Sequence, residues 1–108
     1  MHAAPGPGGT VKVDQPDDGT LALSGVLTFA TAARAYVEGG RALLAGRQTQ
    51  LDLAGLIRAD SAGLACVLAL TACASRAGRR VRVVHWPEGL HALAEVCDVA
   101  DLLDPPAI

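Results

Sequence analysis

Hydrophobic and polar residues alternate in two short stretches near the beginning of the chain. Residues 10–14 (TVKVD) and 20–25 (TLALSG) follow the period of two that is typical of β-strands with one buried face. Between them, Asp17-Asp18-Gly19 is typical of a tight turn. This pattern predicts an antiparallel hairpin that packs one face on a hydrophobic core.

Helical periodicity begins after this hairpin. A helix is predicted over 32–44, with Thr28 or Thr31 as its N-cap. Gly39 and Gly40 weaken this prediction, because an interior glycine costs a helix ~1 kcal/mol relative to alanine. The later elements are strands at 50–54 and 79–86, helices at about 61–77 and from Pro87 onward, and a final helical turn at 99–103.

The order of these elements is β-β-α-β-α-β-α. Strands that alternate with helices pair in parallel through right-handed crossovers, so we predict an α/β fold with a four-stranded mixed β-sheet and about three to four α-helices. The Pro- and Gly-rich stretch at 1–9 predicts a flexible N-terminal tail. A single domain is expected over 10–104, followed by a C-terminal tail at 105–108.

The helix predicted over 61–77 has two different faces. One face is bulky and is expected to pack on the sheet; it carries Leu64, Val67, Leu68, Leu70, Thr71 and Ala74. The opposite face is small and nearly uncharged; it carries Ala65, Cys66, Ala69, Ala72, Cys73 and Arg76. Two interpretations remain open for the small face: the high helix propensity of alanine, or an interface that another protein approaches closely.

Composition narrows the classes of function. The chain has 108 residues, 51% of them hydrophobic, and a net charge of −2. This weak charge, with Phe29, Tyr36 and Trp86 as the only aromatic residues, gives no electrostatic or stacking basis for binding nucleic acid. The cysteines and histidines lack paired metal-ligand spacing, and no phosphate-binding G-x-x-x-x-G-K-[ST] motif is present. We therefore expect no metal and no cofactor.

The cysteine pattern and the uncharged segments indicate in which cellular compartment the protein is expected. Three cysteines without a C-x-x-C pair predict reduced thiols in a reducing compartment. The longest uncharged run, residues 61–75, is shorter than the ~20 apolar residues that cross a bilayer, and no export signal is visible. We expect a cytoplasmic protein without direct membrane insertion.

A recognisable motif spans the strand at 50–54 and the start of the next helix. Residues 51–64 (LDLAGLIRADSAGL) resemble the signature of the STAS family, in which an L-D-L strand leads to D-S/T-x-G-L at a helix start. The flanking segments at 19–25 and 90–103 resemble the early strand and the last helix of that family, so the resemblance covers roughly 11–104. It implies the STAS fold and a non-catalytic, protein-binding role.

Two branches of this family differ within the motif. In anti-sigma factor antagonists, the residue before the glycine carries a hydroxyl that a partner kinase phosphorylates, whereas this chain has Ala62 there. The sequence Asp60-Ser61-Ala62-Gly63-Leu64 is instead similar to the cytoplasmic STAS subunits of Mla phospholipid ABC transporters, which the stretch at 27–31 also resembles. This resemblance implies docking onto the transporter ATPase, and through it onto the membrane permease, in support of outer-membrane lipid asymmetry.

The partner-binding residues expected from the motif and the small face are Asp60, Ser61, Ala62, Ala65, Cys66 and Ala69. A helix N-terminus offers free N–H groups and a partial positive charge to a partner. Asp60 or Ser61 is also a good N-cap, and Gly63 is expected to let the helix approach the sheet.

Enzyme hypotheses have weaker support. Asp52 and Asp60 invite a paired-carboxylate interpretation, and Ser61 with His85 or His91 that of a hydrolase. No G-x-S-x-G elbow is present, and turn, cap and surface roles explain these residues more simply. We therefore expect no catalytic residues.

Overall fold

The computed structural model describes residues 9–97, and the helical turn expected at 99–103 lies outside them. Seven elements follow one another in the predicted order. They are β1 (Val11–Asp17), β2 (Thr20–Leu27), α1 (Ala32–Ala45), β3 (Gln50–Ala59), α2 (Ser61–Arg76), β4 (Arg82–Val84) and α3 (Glu88–Val96). Within the described residues no helix is long and apolar enough to cross a membrane.

The strands form a four-stranded mixed sheet in the order β1-β2-β3-β4, which confirms the predicted fold class. β1 and β2 are antiparallel and joined by the predicted turn, where the Asp17 carboxylate accepts a hydrogen bond from the Gly19 N–H at 2.9 Å. β3 is parallel to both β2 and β4, as the intervening helices require.

The core lies between the sheet and the helices. Alternate residues of β2 and β3 are fully buried, namely Leu21, Leu23, Leu51 and Leu53. From α2, Val67 and Leu70 are also fully buried, and α3 adds Leu90 and Ala94. The buried residues of the strands, which recur every second position, and those of the helices therefore pack together in one hydrophobic cluster.

Helix α1 packs against α2 as well as against the sheet. Gly39 and Gly40, which seemed to weaken α1, are buried in this contact. A Cβ atom at Gly39 would lie 3.1 Å from the Leu70 Cδ2 atom, so the missing side chain allows the two helices to approach closely. The two glycines lower the helix propensity of α1, but they allow α1 and α2 to pack closely.

The same contact corrects the expected faces of α2. Cys66 and Cys73 are buried, although the sequence placed them on the outward face. Leu68, expected in the core, is only partly buried. The reason is that α2 contacts α1 and α3 as well as the sheet, so its buried surface is rotated from the one that the sheet alone would define.

Two strand predictions were wrong in length. β3 does not end at Gly55 but continues to Ala59, with its pairing to β2 shifted in register around that glycine. β4 was predicted over 79–86 but spans only Arg82–Val84. Arg79, which was predicted to begin this strand, lies outside it. Its guanidinium donates hydrogen bonds to the carbonyls of Leu43, in the last turn of α1, and of Gln48, just beyond that helix.

Candidate protein-docking site

The site lies where β3 ends and α2 begins. Asp60 separates the two elements and is the N-cap of α2, as one of the two predicted alternatives stated. Its Oδ1 atom accepts a hydrogen bond from the Gly63 N–H at 3.0 Å, which satisfies one of the free N–H groups of the first turn. Its Oδ2 atom accepts a second hydrogen bond, at 3.1 Å, from the N–H of Phe29 in the β2–α1 loop.

These contacts keep the Asp60 side chain ionised. The hydrogen bond from the Phe29 N–H is the main cause that lowers the pKa of this carboxyl below its usual value, with further help from the Gly63 N–H. A carboxylate at a helix N-terminus also faces the positive end of the helix dipole. Each Asp60 carboxylate oxygen therefore accepts a hydrogen bond, one from the first turn of α2 and one from the β2–α1 loop, so this side chain joins the two segments.

Gly63 holds the start of α2 against the end of β2. The residue is buried, and a Cβ atom there would lie 2.3 Å from the Leu27 carbonyl oxygen, which is too short for a non-bonded contact between carbon and oxygen. The Asp60 N–H donates to the same carbonyl at 3.4 Å. This confirms the predicted packing role of Gly63.

The loop between β2 and α1 is held from both sides. The Thr31 hydroxyl donates a hydrogen bond to the Val26 carbonyl at 2.7 Å and accepts one from the Thr28 N–H at 3.0 Å. Thr31 occupies the N-cap position of α1, but its side chain bonds within the loop instead of capping the helix. With the Phe29 N–H bound to Asp60, the loop backbone has fixed partners at Thr28 and Phe29, and Thr31 joins the loop to Val26 in β2.

The six expected partner-binding residues do not share one environment. Ser61 and Ala65 are exposed, and Asp60, Ala62 and Ala69 are partly buried. Cys66 is buried, which contradicts its predicted place on the outward face of α2. Burial raises the pKa of the Cys66 thiol to about 11, which keeps it protonated and unreactive. The accessible part of the predicted site is thus the first turn and a half of α2.

Sequence reasoning missed Phe29 as a member of this site. Its side chain is 85% exposed, and its backbone is joined to the N-cap of α2. The contact links residues that are 31 positions apart, which no local pattern reveals. The available signal was the presence of a scarce aromatic residue in a short polar loop directly after a strand.

Two of the residues considered for catalysis, Asp52 and His85, contact each other and lie apart from Asp60 and Ser61. Asp52 precedes Asp60 by eight residues along an extended strand, which corresponds to roughly 25 Å. Burial opposes ionisation of Asp52, but hydrogen bonds from the Ala54 N–H and His85 outweigh it and lower the pKa of the carboxyl. His85 and His91 are both exposed, and His91 contacts Glu95 at 3.1 Å.

A site for metal binding is also unsupported within the described residues. No group of three or more His, Cys, Asp or Glu side chains there is arranged to hold a metal ion. The arrangement of the site therefore offers an exposed, firmly held polar and apolar surface, which suits contact with another protein.

The mixed sheet with its helices, and the capped helix start that follows β3, define a STAS-type α/β binding domain. The chain matches the protein-family model described as "Mlab, STAS domain" over residues 11–104, and it belongs to this family. STAS domains are in general binding and regulatory modules that mediate contacts between proteins. A search of the curated proteins found no match.

Two solved structures of SpoIIAA share the fold. The anti-sigma factor antagonist SpoIIAA in its unphosphorylated form has 15% sequence identity and a TM-score of 0.60, with 79% of this chain and 81% of that chain covered. The Bacillus cell fate determinant SpoIIAA in the phosphorylated form has 13% identity and a TM-score of 0.63, with 91% of each chain covered. At these identities the similarity shows a common fold.

Proposed function

We propose that this chain is a non-catalytic accessory subunit that docks, through the start of α2, onto the ATPase of a phospholipid-transporting ABC complex of the Mla type. It would assist the assembly or activity of that complex from the cytoplasmic side. Contact with the membrane permease would then be indirect, through the ATPase.

The observation that carries this proposal is the pair Ser61 and Ala62. Ser61 is exposed at the first position of α2, beside the free N–H groups of the helix. Ala62, at the position that carries the phosphorylated hydroxyl in anti-sigma factor antagonists, has no oxygen. The helix start is thus suited to a permanent contact and lacks the group on which the phosphorylation switch depends.

The surroundings of Ser61 also support a docking role. Asp60 and Gly63 fix the first turn of α2 to β2 and to the β2–α1 loop. A contact surface that is already rigid loses little conformational entropy when it binds. Ala65, one turn further along α2, is exposed and small, so a partner backbone can approach the helix closely.

Co-purification of this chain with the Mla-type ATPase subunit of the same organism tests the proposal. We expect a stable complex with the native chain and none with Ser61→Arg, because a long charged side chain would block the helix start. Ser75→Arg is the matched control, since Ser75 is exposed on the same helix about 21 Å further along its axis. Circular dichroism of both variants checks that the fold is retained.

The outcomes separate three situations. If the native chain forms no complex with the ATPase, the proposed function is wrong. If Ser61→Arg binds as well as the native chain, docking occurs elsewhere on the surface. If Ser61→Arg unfolds while Ser75→Arg does not, Ser61 is mainly a structural residue of the helix start.

The alternative function is that of an anti-sigma factor antagonist. We consider it because this chain shares its fold with SpoIIAA. It requires a phosphorylatable group at the helix start, and Ser61 is the only hydroxyl residue in the segment from Asp60 to Leu64. Incubation with the cognate anti-sigma kinase and ATP, followed by mass spectrometry, distinguishes the two functions. A phosphate on Ser61 would favour the alternative, and we expect none.

A further inference from the structure

We propose that Phe29 is the apolar anchor of the docking site and inserts into an apolar, phenyl-sized pocket on the partner ATPase. This inference rests on the proposed function, because it assigns a second contact to the same site. It also specifies the chemistry of the partner surface: a hydrophobic pocket beside a group that hydrogen-bonds near Ser61.

Exposure is the first observation behind this assignment. Phe29 is 85% exposed, which is similar to Val96 at 83% and Ile57 at 82%, and of these three it is the aromatic one. It is also one of only three aromatic residues in the sequence. Burial of an aromatic ring removes roughly 150–250 Å² from water, so one such residue can dominate the energetics of a small interface.

The firm attachment of its backbone is the second observation. The Phe29 N–H is bound to Asp60 Oδ2 at 3.1 Å, and neighbouring Thr28 is bound through its N–H to the Thr31 hydroxyl at 3.0 Å. An exposed ring on a mobile loop would lose entropy when it binds. Here the backbone is ordered before the partner arrives, so more of the gain from burying the ring is retained as affinity.

The position of the Phe29 backbone relative to Ser61 is the third observation. Asp60 directly precedes Ser61 and bonds the Phe29 backbone, so one carboxylate places the aromatic residue beside the exposed start of α2. The next residue, Ala30, is exposed and small and leaves room for the partner around the ring. Interfaces between proteins typically combine an apolar core with a polar rim, which is the arrangement that an apolar anchor next to polar helix-end groups provides.

Titration calorimetry of the full chain with the ATPase subunit tests the inference. We expect Phe29→Ala to weaken the Kd roughly 30-fold, which is the effect of losing a buried aromatic anchor. Leu44→Ala is the matched control: Leu44 is 65% exposed, near the other end of α1 and about 18 Å along its axis from Ala32. We expect the control to bind like the native chain, and both variants to retain the native unfolding midpoint.

Failure of this inference can be told apart from failure of the proposed function. If the native chain binds, Ser61→Arg does not, and Phe29→Ala binds as tightly as Leu44→Ala, then Phe29 is not an anchor and the docking function stands. If the native chain does not bind the ATPase at all, the docking function fails and the inference fails with it.

Two further measurements test whether the exposed Phe29 ring binds a second copy of this chain or a lipid surface instead of the ATPase. Size-exclusion chromatography of the native chain and Phe29→Ala would reveal self-association through the ring. Flotation with vesicles of phosphatidylethanolamine and phosphatidylglycerol would reveal its insertion into lipid. A dimer, or vesicle binding, that is lost in Phe29→Ala would overturn the assignment to the ATPase.

Discussion

At the scale of single residues, Gly63 decides how closely α2 approaches the sheet. The Leu27 carbonyl oxygen would lie 2.3 Å from a Cβ atom at this position, and the carbonyl carbon 3.2 Å from it. Both are backbone atoms within a paired strand, so neither can move aside without disturbing the sheet. The residue is therefore required for the close approach of the α2 start to the end of β2.

We expect Gly63→Ala to lower the free energy of unfolding by about 1–3 kcal/mol, the usual cost of forcing an extra carbon into a packed site. Gly89→Ala is the control, because Gly89 lies near the start of α3 with no atom within 4 Å of an added Cβ. That change should leave stability unaltered or raise it by less than about 1 kcal/mol. Urea denaturation measures both, and equal effects would contradict the role given to Gly63.

At the scale of elements, polar side chains bind the C-terminal end of α1, and Gln48 is the buried one among them. Gln48 is fully buried and donates hydrogen bonds to the Ala42 carbonyl at 3.0 Å and to Gln15 Oε1 at 2.6 Å. Arg79 donates to Gln48 Oε1 at 3.2 Å and also to the Leu43 carbonyl. Carbonyls that the last turn of a helix leaves without partners are thereby satisfied by Gln48, just beyond the helix, and by Arg79, 36 residues after Leu43.

We expect Gln48→Ala to lower the free energy of unfolding by about 1–3 kcal/mol, since it leaves buried hydrogen-bonding groups without partners. Gln50→Ala, two residues further along, removes an exposed side chain of the same type and should change stability by less than about 0.5 kcal/mol. Thermal unfolding of both variants compares them. Equal stability of the two would show that water replaces the lost contacts around Gln48.

Comparison of the predicted and observed elements shows which parts of this fold follow from the sequence. The hairpin, α1 and the N-cap at Asp60 follow from local patterns, and the structure confirms them. The burial of Cys66 and Cys73 depends on α1 packing beside α2, and a helical wheel contains no information about a second neighbour. The link between Phe29 and Asp60 joins two loops that are distant in sequence and was missed for the same reason.

At the scale of the whole molecule, the ionised Asp60 couples stability to pH. Its pKa is lower in the folded state than its ordinary value of 3.8, chiefly because the Phe29 N–H binds the carboxylate. Between these two pKa values the unfolded chain binds more protons than the folded one, so acid favours unfolding. The contribution of Asp60 is thus fully present above about pH 4 and is lost as the pH falls through the folded pKa.

We expect Asp60→Asn to reduce the free energy of unfolding at pH 7 by about 0.5–1.5 kcal/mol, because an amide has one acceptor oxygen for the two N–H groups of Phe29 and Gly63. The difference from the native chain should shrink as the pH falls below about 4, because the unfolded native chain then takes up a proton on Asp60 before the folded chain does. Asp18→Asn, in the exposed β1–β2 turn, is the control and should follow the native pH dependence. Urea denaturation at several pH values measures all three proteins. A difference that stays constant from pH 7 to pH 3 would show that charge on Asp60 does not stabilise the junction between α2 and the β2–α1 loop.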